Sequence, residues 1–116
     1  MVRQIIFYGS HFMEFYQQQD DKVKTKIQYT LELIKQVDRV PEKLLKHLTA
    51  TDGLYEIRVA YQSDIYRIFC CFDRDKLVVL FNAFQKKSQK TPLKELDKAI
   101  ELKKAYFKSK QDEKVS

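Results

Sequence analysis

The chain has 116 residues, 44% of them hydrophobic and 33% charged, and carries a net charge of +6. That length makes one domain with a modest core and leaves no room for a second. The basic excess points to RNA, DNA or an acidic protein as partner. The lack of a long apolar run, at the N-terminus or elsewhere, predicts a cytoplasmic protein with no leader and no membrane contact.

Val2 to Tyr8 is short and β-rich and ends at Gly9-Ser10, which predicts a first strand. Ser10 is placed to cap a short helix carrying Phe12, Phe15 and Tyr16 on one side. Asp20 or Asp21 then caps a second helix. Val23, Ile27, Leu31, Ile34 and Val37 recur at three- and four-residue steps and form its buried stripe. Pro41 disfavours helix at Val40 and ends it. Glu42 to Leu48 reads as another short turn of helix, carrying the cations Lys43 and Lys46 with His47. Thr49 to Gly53 is a loop.

Leu54 to Phe84 holds three apolar, aromatic and β-branched runs. They are separated by Gln62-Ser63-Asp64 and by Asp73 to Lys76, short polar interruptions of the hairpin kind. In the first run Tyr55, Ile57, Val59 and Tyr61 share one face, and Glu56 and Arg58 the other. In the second, Arg67 sits between Tyr66 and Ile68. The third, Leu77 to Phe84, is apolar but for Asn82, as suits a strand covered on both faces. Lys86, Lys87 and Lys90 follow it. Thr91-Pro92, with Thr91 as cap and Pro92 at the first helical position, opens a last helix. Its apolar side is Leu93, Leu96, Ala99, Ile100 and Phe107. Residues 1–108 form the domain, and 109–116 a polar tail expected to fray. The fold class is α+β: a small antiparallel sheet of about four strands, with a mixed edge allowed. Two N-terminal helices and one C-terminal helix pack on it, in the order β-α-α-β-β-β-α.

The adjacent Cys70 and Cys71 would point to opposite faces of a strand, so they read as reduced thiols rather than a bridge. No spacing suggests a metal site, and no glycine-rich phosphate loop or nucleophile elbow is present. The expectation is a protein without cofactor or metal. What remains is cations beside strands: Arg58, Arg67, Lys86, Lys87 and Lys90. RNA cleavage needs little more, because the substrate's own 2′-hydroxyl attacks the adjacent phosphate. Arginine clamps phosphate oxygens in pairs and offsets the developing charge. Lysine serves as acid or base where neighbouring cations depress its pKa, and Lys86, Lys87 and Lys90 crowd one another. Tyr55, Tyr61 and Tyr66 could stack on bases or pack in the core. Arg67 has a second reading, as a structural ion-pair partner of Glu56.

The segments LYEIRV, IYRIFCCFD and LVVLFNAFQKKSQKTP, then KELDKAIE, in this order and spacing, resemble the HigB-like, phage-derived branch of the RelE/ParE toxin superfamily. The similarity spans roughly residues 3 to 108. The resemblance implies the toxin of a type II toxin–antitoxin pair, a metal-independent endonuclease that cuts messenger RNA in the ribosomal A site and so inhibits translation. By motif, it carries catalytic roles to Arg58, Arg67, Lys86 and Lys87. Lys90, Lys43, Lys46, His47 and Tyr61 are the expected RNA contacts. The implied partners are mRNA on the ribosome and an antitoxin of the helix-turn-helix kind encoded beside it. Two alternatives stand: a ParE-like inhibitor of DNA gyrase, and a non-catalytic RNA-binding phage-derived protein. A tyrosine or histidine near the C-terminus serves as acid or base in many RelE-like nucleases. Here the chain has a long helix instead, with Tyr106 far along it.

Overall fold

The computed structural model describes residues 1–87 and 90–115, with side chains as far as Glu113. Five strands form one sheet: β1 (Gln4–Phe7), β2 (Leu45–His47), β3 (Leu54–Tyr61), β4 (Asp64–Asp73) and β5 (Leu77–Lys86). Their spatial order is β1-β5-β4-β3-β2. All neighbours are antiparallel except β1 and β5, which run parallel at one edge. The three hairpin strands are therefore central, as their uninterrupted apolar character requires. The expected α+β architecture stands, with one strand more than foreseen. The segment from Glu42 to Leu48, expected as helix, instead contributes β2, because Lys46 and its neighbours find backbone partners at Tyr55 to Ile57.

Helices α1 (His11–Gln17) and α2 (Asp21–Gln36) cover one face of the sheet. Asp20 caps α2, its Oδ1 accepting from the Val23 amide at 2.9 Å. Ser10 stands at the cap of α1 but its hydroxyl donates to Glu14 Oε1 instead. The foreseen stripe of α2 is buried at Val23, Ile27 and Ile34, while Val37 lies past the helix end and is exposed. This layer closes on Ile57, Val59, Tyr66, Ile68, Cys70, Val78 and Leu80.

Helix α3 (Leu93–Val115) crosses the opposite face. It opens one residue later than expected: the Pro92 carbonyl accepts from the Leu96 amide, which puts Pro92 at the cap rather than inside the first turn. Its Ala99 and Tyr106 pack on Leu54, Phe69, Cys71, Val79 and Phe81. Cys70 and Cys71 thus belong to different layers, as adjacent strand residues must, and both are free thiols. Two buried polar anchors hold α3. Asn82 Nδ2 donates to the Glu95 carbonyl and side chain at 3.0 and 3.1 Å. At the other end of the sheet the Tyr106 hydroxyl and the Lys110 ammonium both donate to Asp73 Oδ2, at 2.6 and 2.5 Å.

One irregularity sets which side chains share a face. Ile68 pairs with Ala83, but Cys70 pairs with Leu80, so Phe81 and Asn82 together oppose Phe69. This bulge reverses the alternation along β5. Before it, Val79 and Phe81 face α3. After it, Phe84 and Lys86 do.

Candidate nucleic-acid interface

Helix α3 covers only part of its face of the sheet. The rest, toward β2 and the β3–β4 hairpin, carries charge. Arg58 and Arg67 are register partners in the β3–β4 ladder, and Lys46 pairs with Glu56 across β2–β3. Directly paired residues point to the same side. Lys46, Glu56, Arg58 and Arg67 therefore project together, and the bulge in β5 turns Lys86 to the same side. Lys43 and Glu42 join from the loop before β2 to line a groove of about 350 Å³ with Lys46, Glu56, Arg58 and Arg67.

The electrostatics of the groove follow from this crowding. Two arginines directly opposite one another repel. Glu56 lies one pleat along from Arg58 and diagonally across from Arg67, and its Oε1 accepts from Arg67 Nη1. Both members are largely buried, with 14% of the Arg67 side chain and 3% of the Glu56 side chain accessible. Glu56 Oε2 and Arg67 Nε are buried without a hydrogen-bond partner among the described residues. Burial lowers the Arg67 pKa from its ordinary value, though a guanidinium stays charged at any physiological pH. Lys86 is also lowered, first by burial and then by Arg67, Arg58 and Lys46. The cations that depress it come from three other strands, where the sequence had pointed to Lys87 and Lys90.

Of the residues singled out in the sequence, the sheet brings together Arg58, Arg67, Lys86, Lys46 and Lys43. Lys87 and Lys90 are exposed on the connection from β5 to α3. Tyr61 and His47 are not part of the group. Tyr61 packs against the α1–α2 layer with Tyr55 and Tyr66, and His47 stacks edge-on against Tyr55 at 5.1 Å. All four occupy the face opposite the groove. The exposed terminal positions of strands look identical in sequence on either face, so only the register separates them.

Tyr106 is likewise remote. Its hydroxyl is bound to Asp73 at the far end of β4, six residues from Arg67 or about 20 Å along an extended strand. Burial and Asp73 push its pKa up, which suits a hydrogen-bond donor that keeps its proton. The feature that sequence reasoning underrated is Glu56, the carboxylate among the cations. Its signal was the i, i+2 spacing to Arg58, which put both on one strand face.

Residues 14–104 match the family model described as "Phage derived protein Gp49-like (DUF891)". The chain belongs to the Gp49-like family. This phage-derived family is associated with toxin–antitoxin systems and related to RelE-like toxins, and an antitoxin partner fits that context. No curated protein matches the chain. Among the described residues of this Gp49-like protein, no helix is long and apolar enough to cross a membrane.

Proposed function

We propose that this Gp49-like protein is the toxin of a type II toxin–antitoxin pair, of the HigB-like branch, acting in the cytoplasm as an mRNA endonuclease in the ribosomal A site. The observation that carries the reading is the convergence of Lys46, Arg58, Arg67 and Lys86, from four strands, on the uncovered half of one sheet face. In the reaction the substrate 2′-oxygen forms a bond to phosphorus as the bond to the 5′-oxygen breaks. Arg58 and Arg67 bind the non-bridging oxygens and offset their growing charge. Lys86, whose ammonium burial and then its cationic neighbours make more acidic, delivers a proton to the departing 5′-oxygen. The arginines stay charged and accept no proton, so the 2′ proton passes to solvent water as the bond to phosphorus forms.

Primer extension on transcripts after induction, with Arg67→Ala beside the wild type, tests the reading. New 5′ ends at fixed codon positions in the wild type, reduced at least a hundredfold in Arg67→Ala, support it. Intact mRNA while growth stops overturns it.

One observation favours a second reading, a toxin that binds protein without cutting RNA. Arg67 is already engaged by Glu56, and a guanidinium so held is less free to follow a transferring phosphate. Under that reading the target is an acidic protein surface, DNA gyrase in the ParE-like case. Inhibition of supercoiling by the purified chain, unaffected by Lys86→Gln, distinguishes it.

A further inference from the structure

β3 has eight residues, but β2 pairs with only three of them, Tyr55 to Ile57. The Arg58 amide still reaches the Leu44 carbonyl, at 2.9 Å. Beyond it no strand among the described residues pairs with this edge. Backbone groups alternate sides with a period of two. Since the Arg58 amide points away from β4, the N–H and C=O of Ala60 do too, onto an open edge. A groove of about 490 Å³ runs along it, lined on the apolar side by Tyr29, Leu33, Leu44 and Ala60 and on the charged side by Lys26, Lys43 and Arg58. Tyr29 is 62% exposed although it lies on a packed helix, with the Lys26 ammonium over its ring at 5.4 Å.

We infer that this edge receives an extended acidic, amphipathic segment of a partner polypeptide, the antitoxin, as a sixth strand beside Ala60. The inference rests on the toxin reading above for the partner's identity, but its geometry is independent of any nuclease activity. A strand laid there pairs with the Ala60 backbone, sets alternate apolar side chains on Tyr29, Leu33 and Leu44, and meets Lys26, Lys43 and Arg58 with carboxylates. RNA offers neither a matching ladder of amides nor aliphatic side chains for the groove, so a polypeptide fits better. Arg58 lines both this groove and the cationic one. An acidic strand at Ala60 would therefore capture one of the proposed phosphate clamps, and neutralisation follows without a separate blocking element.

The probe is an N-acetylated octapeptide alternating glutamate and valine, followed by amide chemical shifts of the full chain. Expected are shifts centred on Leu44, Tyr29 and Ala60, and slowed hydrogen exchange at the Ala60 amide. Ala60→Pro removes the edge donor without touching the ladder to β4 and should weaken binding tenfold or more, and the same peptide N-methylated at alternate amides should not bind. Tyr29→Ala leaves β3 unchanged and should also weaken binding, so a misfolded proline variant does not end the test. Shifts at Ala60 with oligouridylate and none with the peptide overturn the inference, as does wild-type affinity in both variants. A chain that cuts no mRNA yet binds the peptide at Ala60 removes the nuclease and keeps the edge. One that cuts mRNA yet shows no peptide shifts overturns the edge alone.

Discussion

Arg58 and Arg67 face each other across two strands, an arrangement that costs a sheet stability on its own account. Glu56 offsets part of that cost for Arg67, but no carboxylate among the described residues bridges to Lys86, which burial and then Arg67, Arg58 and Lys46 push toward its neutral form. Lys86→Gln should therefore stabilise the fold by about 0.5 kcal/mol, in the range of a like-charge contact in a sheet, while mRNA cleavage falls at least a hundredfold. Urea midpoints and primer extension on the same preparations read both changes. A variant that loses stability along with activity would mark Lys86 as structural. The pH sign follows from the same neighbours. A proton donor is active below its pKa, and that of Lys86 is lowered from 10.5. The alkaline limb of wild-type cleavage should lie below that value and move to higher pH in Arg58→Gln, where one repelling charge is gone. At this scale the sequence spoke clearly about identity and poorly about partnership. Arginine within an apolar strand marked a candidate position, and the pairing of Arg67 with Glu56 was one of two readings the residues allowed. The neighbours of Lys86 could not be read off, because they lie 19 to 40 positions away in the chain and depend on register.

Among the elements, β5 and α3 decide what the cationic face contains. The run from Leu77 to Phe84 is apolar on both sides, so its sequence shows no alternation from which a reversal could be noticed, and the bulge at Phe81-Asn82 was invisible. Asn82, the one polar residue, stands at that irregularity and ties it to the first turn of α3 through Glu95. β2 was missed for a different reason: three residues are too few to display a period, and their strand character is conferred by β3. The helices were legible because their stripes repeat over several turns. The far anchor of α3 gives a test. Asp73 has its pKa lowered, chiefly by its hydrogen bond from Lys110, then by that from Tyr106. A carboxylate whose folded pKa is depressed adds stability that is present above its unfolded value, 3.8, and is lost as pH falls through the folded one. Asp73→Asn should cost about 2 kcal/mol at pH 7, the scale of a charged hydrogen bond, and make the acid limb below that value shallower. Urea titrations at pH 7, 4 and 3 measure both. An unchanged acid limb would show that the Asp73–Tyr106–Lys110 cluster does not hold the helix.

For the molecule as a whole, the question is whether its net charge of +6 acts as a diffuse attraction or through one face. Lysines are spread over α2 and α3 as well as the groove, and a diffuse cation cloud would bind RNA weakly from any side. Counterion release separates the cases. Each phosphate contact to a single strand contributes about 0.7 to the slope of log affinity against log salt. Lys46→Ala and Arg58→Ala should each lower the slope for a labelled oligouridylate by about that amount. Lys22→Ala removes an exposed cation of α2, whose helix packs on the other side of the sheet, and should leave the slope unchanged. Arg67→Ala should change it less than Arg58→Ala, because Glu56 already balances that guanidinium in the free protein, so it neutralises less phosphate charge and displaces fewer of the counterions condensed on the RNA. Fluorescence anisotropy across a salt series decides the ranking. Equal effects from Lys22 and Arg58 would mean that RNA is attracted by the chain's overall charge, and the convergence of four strands on one groove would then need another ligand to explain it.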